Sequence, residues 1–151
     1  MVLKRESSAG YMCNWAARLF ARELERQLAP SGIASAYMPV MFALADNKAL
    51  TQKALARQAA VEQPTMAATL NRMARDGLIE RRPDPADRRS ALIMLTPLAQ
   101  SKIETVEQVV RRINTLALAP LVPAEQQQFT SLLGKVIAVL EAQDTSLDES
   151  R

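Results

Sequence analysis

The feature that most restricts the fold of this chain is a break in its hydrophobic pattern at residues 78–95. Apolar side chains open residues 78–82 and dominate residues 90–95, and each run has the length of a β-strand. Residues 83–89 separate them and contain two prolines and two aspartates, which favour turns. The segment therefore predicts a β-hairpin, whereas the other apolar residues recur every three or four positions, as in helices.

Two helices are predicted near the N-terminus from this three- and four-residue spacing. The first spans residues 11–28 and ends at Pro30-Ser31-Gly32. The second spans residues 35–44, with Ser35 as its N-cap. Pro39 falls in its first turn, where a missing amide hydrogen is tolerated.

Two further helices directly precede the hairpin. Thr51 is expected to cap a short third helix, and a small-residue turn at residues 59–61 ends it. A fourth helix begins near residues 62–64 and stops at Gly77, which suits the left-handed position after a helix. Two helices joined by a tight turn and followed by a hairpin form a winged helix-turn-helix. The predicted fold class is mainly α with a small β-hairpin wing (α+β).

Two long helices follow the hairpin. Thr96 and Pro97 suit the N-cap and first position of a helix along which apolar residues alternate in steps of four and three. This heptad-like seam comprises Ala99, Ile103, Val106, Val110, Ile113 and Ala117. A last amphipathic helix follows Pro123, and residues 144–151 are expected to form a frayed tail. The seam and the last helix predict a homodimer, since one small winged helix cannot cover so much apolar surface.

Composition excludes most catalytic chemistry. The chain has no histidine, a single cysteine and only four glycines. Ser-His-Asp and Cys-His nucleophile pairs, multi-cysteine zinc sites and glycine-rich phosphate-binding loops are therefore absent from the sequence. No catalytic residue, cofactor or metal site is predicted. An enzyme is the least favoured class, because it would need an acid–base pair from scattered carboxylates.

The sequence also lacks the pattern of a leader or a membrane span. Its first ten residues are not followed by the apolar run of a secretory signal, and its longest apolar runs are far shorter than a transmembrane helix. We therefore expect a cytoplasmic protein with no membrane partner.

Charge is unevenly distributed along the chain. Residues 51–95 carry 8 basic and 5 acidic side chains, whereas residues 96–151 carry 5 basic and 7 acidic ones. A basic segment followed by an acidic end indicates that the basic segment faces a polyanion. An ordinary solvated surface is the alternative, and the net charge of +3 does not decide between them.

The fourth helix has one apolar and one polar face. At about 100° per residue, Met66, Leu70 and Met73 share the side that must face the core. The outer side and the N-terminal end hold Gln63, Pro64, Thr65, Ala68, Asn71, Arg72 and Arg75. Gln and Asn can bridge adenine edges, Arg can pair with guanine, and methyl groups can contact thymine, so this face predicts binding in the major groove of DNA. A solvated amphipathic helix is the alternative.

The turn of the predicted hairpin ends in Arg88 and Arg89. Exposed charges contribute little to stability, whereas an arginine-tipped wing suits a narrow, electronegative minor groove. Asp87 and Arg89 are two residues apart and project to the same side of an extended segment. The carboxylate is therefore expected to hold the Arg89 guanidinium, and Asp87, Arg88 and Arg89 join the predicted DNA-binding set.

Several short motifs occur in order along the chain: Leu55-Ala56, Pro64-Thr65, Leu70, Arg72-Met73, Gly77-Leu78-Ile79-Glu80-Arg81 and Asp87-Arg88-Arg89-Ser90 leading to Ile93-Met94-Leu95-Thr96. By these motifs, from its first helix to its last, the chain shows a resemblance to the MarR family of bacterial transcriptional regulators. The most specific of these motifs is the Asp-x-Arg wing before an apolar-x-Leu-Thr strand end.

The resemblance implies a homodimer whose terminal helices pair while two winged helices read a short palindrome in double-stranded DNA. Residues 1–34 and 97–151 would form the dimerisation region and residues 35–96 the DNA-binding region, within one compact domain overall. The resemblance also implies a repressor that is modulated by a small aromatic or anionic ligand bound between these regions.

Trp15, Tyr37 and Met41 are candidate residues for the ligand pocket, although a stripe of methionine and aromatic residues is more often core. One branch of the family senses organic peroxides through a cysteine in the first helix. Cys13 lies about three residues later than that sensor position, so a buried or semi-exposed apolar role is favoured for it.

The leading interpretation is a sequence-specific DNA-binding transcriptional regulator. The alternative is a winged-helix module for protein–protein contact, or an antirepressor, without DNA binding. The arginine-tipped wing and the basic middle segment argue against that alternative.

Overall fold

The computed structural model describes residues 4–148, which form a mainly helical protein with one small antiparallel sheet. The predicted fold class, mainly α with a β-hairpin wing, is thereby confirmed. The helices are α1 (Ala9–Leu28), α2 (Met38–Leu44), α3 (Gln52–Ala59), α4 (Gln63–Arg75), α5 (Pro97–Leu118) and α6 (Pro123–Asp148). The strands are β1 (Leu50–Thr51), β2 (Ile79–Pro83) and β3 (Ala91–Leu95). Short 3-10 turns lie at Arg5–Ser7, Ala29–Ser31 and Ser35–Tyr37.

The chain divides into two compact units between Ile113 and Asn114. The first unit holds α1–α4, the sheet and the greater part of α5, and the second holds the end of α5 and α6. The division falls inside α5, whereas the sequence places its boundaries after residues 34 and 96. The assignment of those ranges to dimerisation and DNA binding stays a prediction.

The sheet consists of the predicted hairpin and one short extra strand. Its order is β1–β3–β2, and both pairings are antiparallel. β2 and β3 form the hairpin, with Ile79 opposite Leu95 at its base. β1 pairs Leu50 with Ile93 on the other edge of β3. Two residues are too few for an alternating pattern, so β1 has no signal in the sequence.

One hydrophobic core holds the first unit together. The predicted inner face of α4 is buried, with Met66 3% exposed and Leu70 and Met73 fully enclosed. The core also contains Leu28, Ile33, Val40, Met41, Leu44, Leu55, Leu78 and Ile93. Burial of such an apolar side chain stabilises the fold by about 1.5–3 kcal/mol, so α4 is held with its polar face outward.

The heptad-like seam along α5 packs inward, which corrects the expectation that it pairs with a second copy of the chain. Five of its six members are buried in this core or packed against it: Ala99, Ile103, Val106, Val110 and Ile113. Ala117 is exposed. A spacing of four and three residues describes any helix with one buried stripe, and here the chain's own residues already cover that stripe.

Side-chain caps begin three of the helices. Ser8 Oγ accepts a hydrogen bond from the Tyr11 amide at 3.3 Å, so α1 begins at Ala9, slightly before its predicted start. Thr51 and Thr96 cap α3 and α5, as predicted, because each hydroxyl oxygen accepts from the amide three residues later.

Ser35 does not cap α2, and that prediction is wrong. Ser35–Tyr37 form a 3-10 turn, and α2 begins at Met38 with Pro39 in its first turn. The Ser35 amide instead donates to Glu25 Oε2 at 2.7 Å, which joins the turn to α1. This bond lowers the pKa of Glu25, because it stabilises the charged carboxylate.

The C-terminal helix extends further than predicted. α6 continues to Asp148, so residues 144–148 are not the expected frayed tail, and residues 149–151 lie outside the described residues. The hydroxyls of Thr145 and Ser146 donate back to helix carbonyls of Glu141 and Gln143, which suits helical backbone there. Of the helices within residues 4–148, none has the length and apolarity needed to cross a membrane.

The C-terminal end of α4 is anchored from two sides. Gly77 follows it with φ of 73°, a left-handed conformation that lets the chain leave the helix and enter β2. Thr96 Oγ1 donates to the Gly77 carbonyl at 2.6 Å, at the base of the hairpin. The buried Tyr37 donates its hydroxyl hydrogen to Asp76 Oδ2 at 2.6 Å. These contacts hold α4 against the hairpin and against the turn before α2.

We expect the Tyr37 bond to make stability fall at high pH. Burial, and then the Asp76 carboxylate, raise the pKa of Tyr37 above its ordinary value near 10. The folded state therefore keeps a proton that the unfolded chain loses, so the bond contributes fully below about pH 10 and is lost as pH rises through the folded pKa. Tyr37→Phe should lower the free energy of unfolding by about 1–2 kcal/mol at neutral pH.

Urea unfolding of both proteins at several pH values checks this expectation. The loss of stability above about pH 10 should be shallower for Tyr37→Phe than for the wild type, because the titrating phenol is gone. Parallel profiles for the two proteins would show that Tyr37 does not carry the effect.

Candidate nucleic-acid interface

The outer face and the N-terminal end of α4 are accessible to solvent. Every residue predicted there is exposed: Gln63, Pro64, Thr65, Ala68, Asn71, Arg72 and Arg75. Because Met66, Leu70 and Met73 face the core, helical geometry places Ala68, Asn71, Arg72 and Arg75 on the opposite side. Gln63 lies on the same side as Leu70 and is exposed at the N-terminal end of the helix. The outer stripe thus combines one amide, Asn71, with the two arginines, and the second amide, Gln63, is accessible at the helix N-terminus.

The N-terminal end of α4 is open. Its N-cap residue, Glu62, makes no side-chain capping bond, and Pro64 in the first turn has no amide hydrogen. The first intrahelical bond is donated by Met66 to the Glu62 carbonyl, so the amides of Gln63 and Thr65 have no partner within the helix. Free amides at the positive end of a helix dipole suit a phosphate group.

The wing is ordered by its own carboxylates. Asp84 accepts from the Ala86 amide at 2.9 Å and from the Ser90 hydroxyl at 3.2 Å. Asp87 Oδ1 accepts from the Arg89 amide at 2.9 Å, and the Ser90 amide donates to the Asp87 carbonyl. Aspartates that bond the backbone two residues on favour a tight turn, so the tip has a defined shape.

The contact expected between the Asp87 carboxylate and the Arg89 guanidinium is not the one that forms. The carboxylate bonds the Arg89 backbone amide instead, because the chain turns at this point and is not extended. Arg88 and Arg89 are both exposed, and within residues 4–148 neither belongs to an ion pair. Their two positive charges are therefore available at the tip.

A groove of about 470 Å³ lies between the starts of α3 and α4 and the hairpin. It brings together two predicted residues, Gln63 of α4 and Asp87 of the wing. Its lining comprises Thr51, Gln52, Lys53, Gln63, Arg81, Asp84, Asp87, Ser90, Ala91 and Ile93.

Two basic residues of this groove, Lys53 and Arg81, were missing from the predicted site. Arg81 Nη2 donates to Asn71 Oδ1 at 3.1 Å, which links the hairpin to the outer face of α4. The alternation of side chains along β2 could have placed Arg81 beside α4. Residues 79 and 81 of a strand share one face, and Ile79 on that face is buried beside α4. Lys53 follows the Thr51 cap and has no comparable signal.

The three candidate pocket residues do not share one environment. Tyr37 and Met41 are buried in the core, the more common role for such residues. Trp15 is half-buried on α1, where the Arg5 guanidinium lies 4.2 Å from the centre of its ring and Tyr11 packs edge-on. The groove described above is lined by other residues, and the assignment of a ligand pocket stays a prediction.

Cys13 is exposed on α1, which corrects the expectation of a buried or semi-exposed thiol. α1 contacts the core through its C-terminal half, where Leu28 is buried and Phe20 and Leu24 pack against the core. Cys13 lies in the N-terminal half of α1, before these core contacts begin.

Known proteins are similar to this chain in sequence and in fold. A family model described as the MarR family matches residues 31–90, from the end of the 3-10 turn at Ala29–Ser31 to the last residue before β3. The chain is 30% identical over 122 residues to the HTH-type transcriptional regulator YwoH of Bacillus subtilis (strain 168), covering 81% of this chain and 88% of YwoH. It is 26% identical over 113 residues to the HTH-type transcriptional repressor NicR of Pseudomonas putida, covering 75% of this chain and 72% of NicR.

The fold is also similar to a crystal structure of a mutant MarR from E. coli complexed with operator DNA. The TM-score is 0.76 at 25% identity, and the match covers 84% of this chain and 91% of that chain. The relatives are transcriptional regulators and not enzymes, in agreement with the chemistry that the composition allows. By sequence and by fold, this chain belongs to the MarR family of transcriptional regulators.

Proposed function

We propose that this regulator is a repressor that binds a short palindromic operator in double-stranded DNA as a homodimer, and that a small aromatic or anionic ligand modulates the binding. The observation that carries the proposal is the outward polar face of α4 beside an arginine-tipped wing, both held by one core. A major groove admits an α-helix, and a minor groove admits a basic wing tip.

In this proposal α4 reads the base sequence. Gln63 and Thr65 lie in its first turn, where the open amides also suit a phosphate. Asn71 and Arg72 lie about two turns further on, where their side chains can reach base edges. Arg75 extends the stripe toward the helix end as a phosphate contact. Such a face combines sequence readout with positioning on the backbone.

The wing contributes a cationic contact at the flank of each half-site. Arg88 and Arg89 project from a turn whose shape is held by Asp84 and Asp87. A pre-ordered turn loses little entropy when it binds, so the arginines reach the DNA at small cost. The complex of E. coli MarR with operator DNA supports a DNA partner, and the repressor NicR supports the direction of regulation.

The second copy is proposed to pair through α6. Five large apolar residues of this helix are between 46% and 61% exposed: Phe129, Leu132, Val136, Ile137 and Leu140. Apolar surface of this extent on a soluble protein indicates a partner that covers it. The partner that fits a palindrome is a second copy of this chain related by a twofold axis, because the dimer then presents two identical wings and two copies of α4. The dimerisation region is proposed to comprise residues 1–34 and 97–151, with residues 35–96 reading DNA.

Ligand modulation is proposed from the family resemblance. Trp15, Tyr37 and Met41 are the proposed contacts, and Trp15 has side-chain surface that a ligand can meet directly. Tyr37 and Met41 would reach the ligand only if the core opened beside them, which would also disturb the Tyr37–Asp76 bond. A ligand bound there would therefore act on the anchor of α4.

Arg89→Ala should weaken binding to operator DNA and flatten its dependence on salt. Each lost phosphate contact reduces the slope of log K against log salt by about 0.9, or nearly 2 for a dimer. The melting temperature should barely change, because an exposed charge at a loop tip contributes little to folding. Fluorescence anisotropy over a salt series measures both quantities.

Arg22→Ala is the matched control for Arg89→Ala, since it removes one exposed arginine from α1, away from the wing. It should leave the salt slope unchanged. If Arg89→Ala binds with wild-type affinity and slope, the wing does not touch DNA; if no DNA is bound by the wild type, the protein–protein alternative takes precedence.

Leu140→Glu should convert the dimer into a folded monomer, because it places a charge in the apolar face of α6 that a second copy would bury. Gln143→Glu adds the same charge at an exposed polar position of the same helix and should leave the dimer intact. Sedimentation velocity at micromolar concentration distinguishes the two states. A folded wild-type monomer at that concentration contradicts the homodimer.

Aromatic acids such as benzoate should raise the melting temperature of the wild type and shift its affinity for operator DNA, since a ligand that binds the native state stabilises it by mass action. Trp15→Ala should reduce the shift. A broad screen of aromatic acids that changes neither melting nor DNA binding would remove ligand modulation from the proposal.

A further inference from the structure

Asn71 and Arg81 are joined across the gap between α4 and the hairpin. Arg81 Nη2 donates to Asn71 Oδ1 at 3.1 Å, and both residues are exposed. Asn71 lies on the outer face of α4, and Arg81 projects from the same face of β2 as the buried Ile79. Within residues 4–148, this is the one hydrogen bond made by the Asn71 side chain.

The chemistry of the two partners determines how the amide is turned. A guanidinium has five N–H donors and no acceptor, so only the oxygen of the Asn71 amide can face it. The amide nitrogen is on the other branch of the same planar group and donates to no other group in the described part of the chain. Asn71 therefore presents two N–H donors away from Arg81.

This polarity disfavours the adenine contact expected for asparagine. Adenine recognition uses both halves of the amide, because N7 accepts from the amide nitrogen while the N6 amino group donates to the amide oxygen. In Asn71 the oxygen already accepts from a cation, whose charge repels the N6 amino hydrogens. The free N–H groups suit base edges that only accept in this region of the groove: N7 and O6 of guanine, or O4 of thymine.

We propose that Arg81 is a specificity-determining residue that positions Asn71 as a hydrogen-bond donor and so directs it to guanine or thymine. The inference rests on the proposed DNA-binding function and replaces the adenine contact expected from residue type alone. Arg81 acts through Asn71 and needs no contact of its own with a base.

Arg82 offers a matched control. It is the next residue of β2 and is also exposed and basic, but it donates to Glu80 Oε1 at 2.7 Å on the opposite face of the strand. Arg81→Met and Arg82→Met remove the same charge from adjacent positions. A difference in base preference between them reports the bond to Asn71, whereas a common loss of affinity reports charge alone.

The test exposes the wild type and the variants Asn71→Ala, Arg81→Met and Arg82→Met to a library of randomised double-stranded DNA and sequences the bound fraction. Asn71→Ala identifies the position of each half-site that Asn71 reads. At that position we expect the wild type to select guanine or thymine over adenine by about fivefold, the lower end of the effect of one base change. Arg81→Met should raise the share of adenine there, and Arg82→Met should leave it unchanged.

Selection of adenine by the wild type at the Asn71-dependent position overturns the inference, as does the absence of any such position. An unchanged preference in a folded Arg81→Met protein, as judged by its thermal melt, overturns it too. The first two results need no Arg81 variant, so the inference is testable even if Arg81→Met does not fold. If the wild type enriches no sequence, it does not bind DNA sequence-specifically, and the proposed function is contradicted. This inference rests on that function and is then contradicted as well.

Discussion

The outward presentation of α4 depends on the burial of three side chains on its inner face. Met66, Leu70 and Met73 are almost completely enclosed, and each such burial stabilises the fold by about 1.5–3 kcal/mol. A rotation of the helix would expose these residues and bury Asn71 and Arg72 without solvent or partners, which carries a further penalty. Apolar and polar residues thus impose the same orientation, and the candidate interface follows from it.

The two ends of α4 differ in a way that suits binding. Its C-terminal end is anchored by Tyr37 through Asp76, by Thr96 through Gly77, and by the left-handed turn into β2. Its N-terminal end has no side-chain cap, so its amides stay open. Because the C-terminal end is anchored, α4 can bind an anion at its N-terminal end and keep its position in the fold. The same anchor connects α4 to the turn before α2 through the Tyr37–Asp76 hydrogen bond.

Much of this architecture could be predicted because local rules act over a few residues. Thr51 and Thr96 were identifiable as caps, and Gly77 as the end of α4, from residue type and spacing alone. The same rules failed where two arrangements share one pattern. The seam from Ala99 to Ile113 reads equally well as a dimer contact or as core, and it is core. Ser35 has a side chain that suits an N-cap, but it does not cap α2. Its backbone amide instead donates a hydrogen bond to the carboxylate of Glu25, ten residues earlier in the chain.

The sequence by itself determined the winged helix-turn-helix, the polar stripe of α4 and the arginine tip of the wing, because helical period, turn chemistry and capping are local properties of the chain. Only the tertiary structure decided which apolar stripes are buried and which stay exposed, since the stripes of α5 and α6 look alike until neighbouring elements cover one of them. It also decided that Asp87 bonds a backbone amide and that Asn71 meets Arg81. A hydrogen bond depends on distances of a few tenths of an ångström, and those distances exist only after the elements have packed.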